Sequence, residues 1–204
     1  MAQNVDRKTI EGFGFEWSTF DQSALELDER DRLFAAYFRI FPWHVLPPDA
    51  VGIDVGCGSG RWAKVVASKV GMLHCIDASA EALEVARKNL ADMPNCLFHH
   101  ASIDQIPISD AFADFGYSLG VLHHVPETEG GIRSCVRKVK KGAPFLLYLY
   151  YAFDNRALWY RALWRVSDLL RRGICRLPYP FRYVLTQAIA LFVYWPLAKM
   201  GRLH

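Results

Sequence analysis

The chain has 204 residues, 52% hydrophobic and 22% charged, a globular balance that excludes a disordered protein and suffices for one domain with its own core. Its formal net charge of +3 conceals an asymmetry: residues 155–204 hold nine Lys+Arg against one Asp+Glu, while residues 1–154 are net acidic by five. Five cysteines, odd in number and never spaced C-x-x-C, argue against a disulfide framework or structural zinc and fit a reducing cytoplasmic setting.

The opening residues, MAQNVDRKTIEGFG, lack the apolar run of a secretory signal. With the glycine breaks of EGFGFEWSTF they read as an irregular lead-in over residues 1–20. Ser23–Phe41 has helical spacing, with Leu25, Leu33, Ala36, Tyr37 and Ile40 on one face, before Pro42, Pro47 and Pro48 punctuate a loop. Strands and helices then alternate. Gly52–Val55 is a short buried strand, Arg61–Lys69 a helix, Met72–Ile76 a strand, and Ser79–Leu90 a helix opened by Ser79 with Glu81 in its first turn. Cys96–His99 reads as a third strand, and Phe112–Leu119 contains a fourth. Thr128–Val139 is a helix ended by Lys140-Lys141-Gly142, with glycine at the left-handed position, and Phe145–Tyr150 is a fifth strand. Such alternation implies parallel βαβ units, hence an α/β, doubly wound, mostly parallel sheet. The domain plan is a core over 1–154 and a basic, aromatic helical segment over 155–204.

The most informative stretch is VGIDVGCGSGRWA, residues 51–63. Glycines between a first strand and a first helix let a ligand approach the bare backbone, at the sheet end where ligands gather in such folds. The spacing is G-x-G-x-G, not the G-x-G-x-x-G of dinucleotide sites, and Asp54 precedes it. A carboxylate there suits a ligand carrying a cationic ammonium or sulfonium. The second strand ends in Asp77, where a carboxylate can accept bonds from ribose hydroxyls; the alternative is that Asp77 only caps the next helix.

Together, DVGCGSG at 54–60, the strand-end Asp77 and YSLGVLHHVPE at 117–127 resemble class I S-adenosylmethionine-dependent methyltransferases, over residues 12–150. That resemblance implies a Rossmann-like core whose cofactor is S-adenosyl-L-methionine. Gly56, Cys57, Gly58 and Gly60 would pack under it, Asp54 would meet its aminoacyl end, and Asp77 and Ala78 would meet the ribose side. Ser102, with Ile103 against the ring, would stand at the adenine, where the family often has an Asp; Asp104 is the alternative. Leu119 and Gly120 would touch the methionine, and Leu122 and His123 would face the methyl acceptor.

The pairs His99-His100 and His123-His124 are no chelate, since strand neighbours point to opposite faces, and no metal is expected. His123 is the candidate general base, needed only if the acceptor must lose a proton early. The acceptor is expected to be a small molecule or lipid-like, and no nucleic acid is expected. A nicotinamide-dependent oxidoreductase and a non-catalytic cofactor-binding fragment are the alternatives.

In the tail, NRALWYRALWRVSDLLRR at 155–172 has an apolar stripe with arginines at 156, 161, 165 and 172. It reads as a cover over the substrate pocket or as a helix at a membrane interface. Val184–Ala198 is too short and interrupted to span a bilayer. The family fold closes with two further strands; only Ile189–Trp195 passes as one, equally well as buried helix, so the chain is expected to be a fragment or a short form.

Overall fold

The computed structural model describes residues 4–20, 27–150 and 153–201, in two compact units, Met1–Tyr150 and Tyr151–His204.

The first unit is built on five parallel strands: β1 (Val51–Val55), β2 (Met72–Asp77), β3 (Cys96–His100), β4 (Phe115–Leu119) and β5 (Phe145–Tyr148). Their order is β3-β2-β1-β4-β5, so the chain works outward from β1 to one edge and then crosses to the other. The crossover puts the ends of β1 and β4 side by side, the switch point at which open α/β sheets bind ligands. In register, Asp54 lies opposite Cys75 on β2 and Tyr117 on β4. Two further strands of the kind the family resemblance implies are not present among the described residues.

Side chains alternate across the strands, and each face of the sheet carries its own core. Ile53, Val55 and Ile76 face one way, with Ile103, Leu122 and Cys135. On the other face Leu73, Cys75, Phe115 and Tyr117 pack against Trp62 and Val66 of α3 (Arg61–Ala67) and Leu83 and Ala86 of α4 (Ala80–Asn89). Ser79 caps α4, its hydroxyl accepting from Ala82 N–H. Helix α5 (Thr128–Val136) ends three residues early: Val139 is drawn into a parallel bridge with Ala113. Gly142 does have φ +81°, but it serves the turn into β5.

Two corrections fall in the N-terminal part. Residues 7–19 form a helix, α1 (Arg7–Thr19), where the sequence reads as irregular. Asp6 caps it, accepting from Lys8 and Thr9 N–H and from the Thr9 hydroxyl. Gly14, which looks like a breaker, is a packing residue: a Cβ there would come within 2.7 Å of Ser79 Oγ on α4. In α2 (Leu27–Tyr37) and the turn after it, the buried face is Phe34, Phe38 and Phe41, whereas Ala36 and Ile40 are exposed. Phe38 contacts the other two rings and all three contact Trp43, each burial contributing roughly 1.5–3 kcal/mol. Ser23 and Leu25 lie outside the described residues.

The second unit is helical: α6 (Leu158–Cys175), α7 (Tyr179–Ile189), a π turn at Ala190–Tyr194, and α8 (Trp195–Gly201). Pro180 lies in the first turn of α7, where the missing N–H costs nothing. The apolar run 189–195 is helical, and it is not buried: Phe192 is 75% exposed. No residue of α6 is buried either; Leu158, Trp159, Leu169 and Leu170 each expose more than half of their surface. Among the described residues no helix is long and apolar enough to cross a membrane.

Candidate functional site

The glycine loop leaves β1 with its backbone tied to β2: Gly56 and Cys57 N–H both donate to Ile76 carbonyl oxygen, at 2.8 and 3.0 Å. Gly56, Gly58 and Gly60 have φ of +80°, +54° and +78°, which other residues adopt only with strain. A side chain at Gly56 would also strike Val121, 2.4 Å from a built Cβ. From below, Asn89 of α4 donates to Ser59 carbonyl oxygen at 2.9 Å. The loop is thus a bare, braced concavity.

Asp77 stands at its rim. One carboxylate oxygen accepts from Gly58 N–H and the other from Ser79 N–H, both at 2.9 Å. Burial pushes this carboxyl above its usual range, against the pull of those N–H groups. Each oxygen keeps a further lone pair, so the group can still accept from a diol. Asp77 therefore does cap the turn into α4, and this leaves its acceptor capacity open.

Residues 56–59 of the loop and Asp77 form the floor of a cavity of about 1010 Å³, mouth included, whereas Gly60, also expected at the cofactor, packs against Leu90 of the core. Cys57, Ala78, Ser102, Ile103 and Leu119 are on its wall. Ser102 Oγ is buried there with no hydrogen-bond partner. Asp104, the alternative to Ser102, is exposed and accepts from Asn4 N–H.

Three expected contacts are placed differently. Asp54 is only 2% exposed and lies beneath the wall, its carboxyl accepting from the Tyr117 hydroxyl at 2.9 Å. Burial pushes its pKa up to about 8, so it is no free anion for an ammonium group at neutral pH. Leu122 is fully buried in the core. His123 packs against Tyr150 with the rings tilted and centroids 4.2 Å apart, both ring nitrogens buried without partners; its neighbour His124 is the imidazole on the cavity wall. Burial lowers the pKa of both.

Sequence reasoning missed the wall opposite the loop, which is α1. Ile10, Phe13 and Trp17 line it, at the helical spacing i, i+3, i+7. Trp17 Nε1 is 3.0 Å from a Cβ built on Gly58. Asn4 fastens this segment: its side-chain amide donates to Glu127 carbonyl oxygen at 2.7 Å and accepts from Glu127 N–H at 2.8 Å. The signal was present as Asp6 three residues before Thr9, followed by that spacing, and the glycines obscured it. Arg61, also missed, lines the cavity one residue beyond the loop.

These features fit a nucleoside: an acceptor for a diol at Asp77, a bare cradle at 56–59, and an unpaired hydroxyl at Ser102.

Comparison with known proteins agrees with that geometry. Residues 53–147 match the family model described as methyltransferase domain. The chain is similar to the ubiquinone biosynthesis O-methyltransferase of Nitrosomonas europaea, 32% identical over 106 residues, 51% of this chain and 43% of that protein. It is also similar to phosphoethanolamine N-methyltransferase 2 of Caenorhabditis elegans, 26% identical over 50% of this chain and 24% of that protein. Each match spans less than half the relative's length. Among solved structures, a protein of Methanococcus maripaludis shares the fold, with TM-score 0.54 and 18% identity over 93% of this chain and 86% of that one.

Proposed function

We propose that this chain, whose residues 53–147 belong to the class I S-adenosylmethionine-dependent methyltransferases, is an enzyme that moves a methyl group from S-adenosyl-L-methionine to a small-molecule or amphiphilic acceptor. The observation that carries this reading is the bond from Gly58 N–H to the Asp77 carboxylate. It joins the bare loop and the diol acceptor into one wall at the sheet's switch point.

Asp77 would hold the ribose hydroxyls, with Ala78 beside them. Ser102 and Ile103 would meet the adenine, Leu119 the methionine chain, and Gly56, Cys57, Gly58 and Gly60 would lie beneath. Asp54 supports this from behind, by bracing β1 against β4 through Tyr117. The cofactor supplies a sulfonium-activated methyl group that leaves by direct displacement, so the protein's share is alignment and exclusion of water. Phe13 and Trp17 of α1, and Val121 and His124, form the apolar surround. For a hydroxyl acceptor, the proposed base is His124, the imidazole on the cavity wall, in place of the expected His123; burial lowers its pKa and keeps it neutral and able to take a proton.

Similarity to a relative named for ubiquinone biosynthesis supports a lipid-like acceptor. The basic, exposed apolar helices of residues 158–201 support peripheral contact with an anionic membrane surface. The test of the main reading is calorimetry with S-adenosylmethionine and S-adenosylhomocysteine, followed by transfer of labelled methyl to lipid, quinone and small aromatic pools. Binding of both and labelling of one pool is expected. Tight binding of a nicotinamide dinucleotide, with none of S-adenosylhomocysteine, would overturn it in favour of an oxidoreductase; binding without transfer to any pool would leave a non-catalytic module.

A further inference from the structure

Two imidazoles that the proposed chemistry does not use meet across β2 and β3. His74 Nδ1 and His99 Nε2 are 2.8 Å apart, with the rings 17° from parallel. His74 is buried and His99 half-buried. Phe112 packs against His74 at 85°, its centroid 5.7 Å away. The other nitrogen of His74, Nε2, is sealed from solvent and has no hydrogen-bond partner.

That sealed nitrogen decides which ring donates. If His99 donated, the His74 proton would sit on Nε2 as a buried donor with no acceptor. With His74 Nδ1–H donating to His99 Nε2, only a bare lone pair is left there, and buried unpaired donors are the rarer of the two. Neither ring then has an easy place for a second proton. On His99 it would set N–H against N–H, and on His74 it would enter the sealed Nε2. The charges that bear on the pair are the facing imidazole and Arg87 of α4, which lies over Phe98 at 4.7 Å; both oppose more positive charge. Among the described residues no carboxylate pairs with either ring, and the ion pairs around Phe112, Lys138 with Asp110 and Lys140 with Asp114, are closed on themselves.

The pair is also placed where it matters. β3 is an edge strand that pairs with β2 alone. His74 stands three residues before Asp77, and His99 three residues before Ser102. Just beyond them Ala101 N–H donates to Asp77 carbonyl oxygen at 3.0 Å. The pair therefore lies behind the stretch of cavity wall made by Asp77, Ala78 and Ser102.

We propose that His74 and His99 form an acid-sensitive latch between β2 and β3, closed while one proton lies between the rings and opened by a second, and that its opening loosens the nucleoside end of the cavity. The link to the cavity rests on the S-adenosylmethionine reading above and adds a control by pH. Burial lowers the pKa of both imidazoles. A histidine released from the latch titrates near 6.5, so below about that pH the open form takes up protons that the closed form refuses. The latch's contribution is complete above about pH 6.5 and is lost as pH falls further.

The first test uses the wild-type full chain without ligand. Amide hydrogen exchange, corrected for its intrinsic pH dependence, is compared at about pH 7.5 and about pH 5.5. Residues 72–77 and 96–100 should lose protection at the lower pH, while β1 and β4 keep theirs. His99→Gln supplies an acceptor for His74 Nδ1–H that does not titrate, and its β2 and β3 should keep their protection. Wild-type strands equally protected at both pH values, or a His99→Gln variant that loses protection as wild type does, would overturn the latch.

The second test is calorimetry with S-adenosylhomocysteine at the same two pH values. Asp77, whose pKa burial raises, titrates in both proteins, so the latch is read as the difference between them. Wild type should lose about tenfold more affinity than His99→Gln on acidification, the effect of one pKa unit. Equal losses would overturn the link between latch and cavity while leaving the cofactor reading intact. Wild-type protein that binds no S-adenosylhomocysteine at either pH overturns the cofactor reading and that link with it, and the exchange measurement still decides the latch.

Discussion

Asp77 and Asp54 are both aspartates near the end of a parallel strand, and their surroundings assign them opposite work. Asp77 has two backbone N–H partners and spare lone pairs facing a cavity. Asp77→Ala should weaken S-adenosylhomocysteine by roughly 1.5–3 kcal/mol, read by calorimetry. It also removes the cap on the turn into α4, so some loss of melting temperature should accompany it. Asp54 is enclosed with Tyr117, and burial raises its pKa from the usual carboxylate value near 4 to about 8. In the unfolded chain this carboxyl ionises near pH 4, but in the folded protein only near pH 8. Between those values the unfolded state holds fewer protons, so this group's contribution to stability falls as pH rises from about 4 to about 8. Asp54→Asn keeps an acceptor for the Tyr117 hydroxyl and removes the titration. Its melting temperature should exceed wild type by more at pH 8 than at pH 5. A difference that does not change with pH would show that Asp54 is ionised in the folded protein.

At the scale of elements, the contact that shapes the site is α1 over the glycine loop. The helix is held at three places: Asp6 at its start, the Asn4 clamp on Glu127, and Gly14 against α4. Together they bring Trp17 onto Gly58, where φ is +54°. Gly58→Val therefore meets two obstacles at once, a strained backbone and the indole 3.0 Å from the new Cβ. The expected outcome is loss of S-adenosylhomocysteine binding beyond about 100-fold, with far-ultraviolet circular dichroism close to wild type. Unchanged affinity would mean that the ligand does not lie over this loop. Two parallel neighbours, β2 and β3, carry a further pair, the buried His74 through Nδ1 and the half-buried His99 through Nε2, at 2.8 Å.

At the scale of the whole molecule, charge and surface divide as the two units do. The first unit has cores on both faces of its sheet and all of the fully buried side chains described. The second exposes Trp159, Trp164, Phe192 and Trp195, and eight of the nine basic side chains of residues 155–204 fall in its described part. Vesicles containing phosphatidylserine should carry the protein upward on flotation, and purely phosphatidylcholine vesicles should not. Replacing Arg161 and Arg165 by alanine should reduce partitioning by about 30-fold, at roughly 1 kcal/mol for each basic side chain near the surface. Partitioning unaffected by the two substitutions or by lipid charge would dismiss the membrane proposal.

The strands β1 to β5, helices α3 to α5 and the acid at the tip of β2 were legible in the sequence because each is written in a few adjacent residues. Alternating apolar positions make a buried strand, Ser79 marks a helix start, and three glycines in five residues allow only a turn that bares its backbone. Fold class, cradle and ribose acid followed from those local signals. What the tertiary structure alone decided depends on residues far apart. Residues 7–19 became a wall because α4 offers Gly14 a place to pack, and packing rather than propensity stabilises such a helix. The apolar face at 27–41 turned out to be the phenylalanines, since several helical faces there were apolar enough for sequence to choose among. Asp54 left the cavity, and lost its expected charge, because Tyr117 comes 63 residues later to enclose it. Whether a charged side chain is enclosed, paired or free is set by desolvation and by its neighbours in space, and no short window of sequence contains those neighbours.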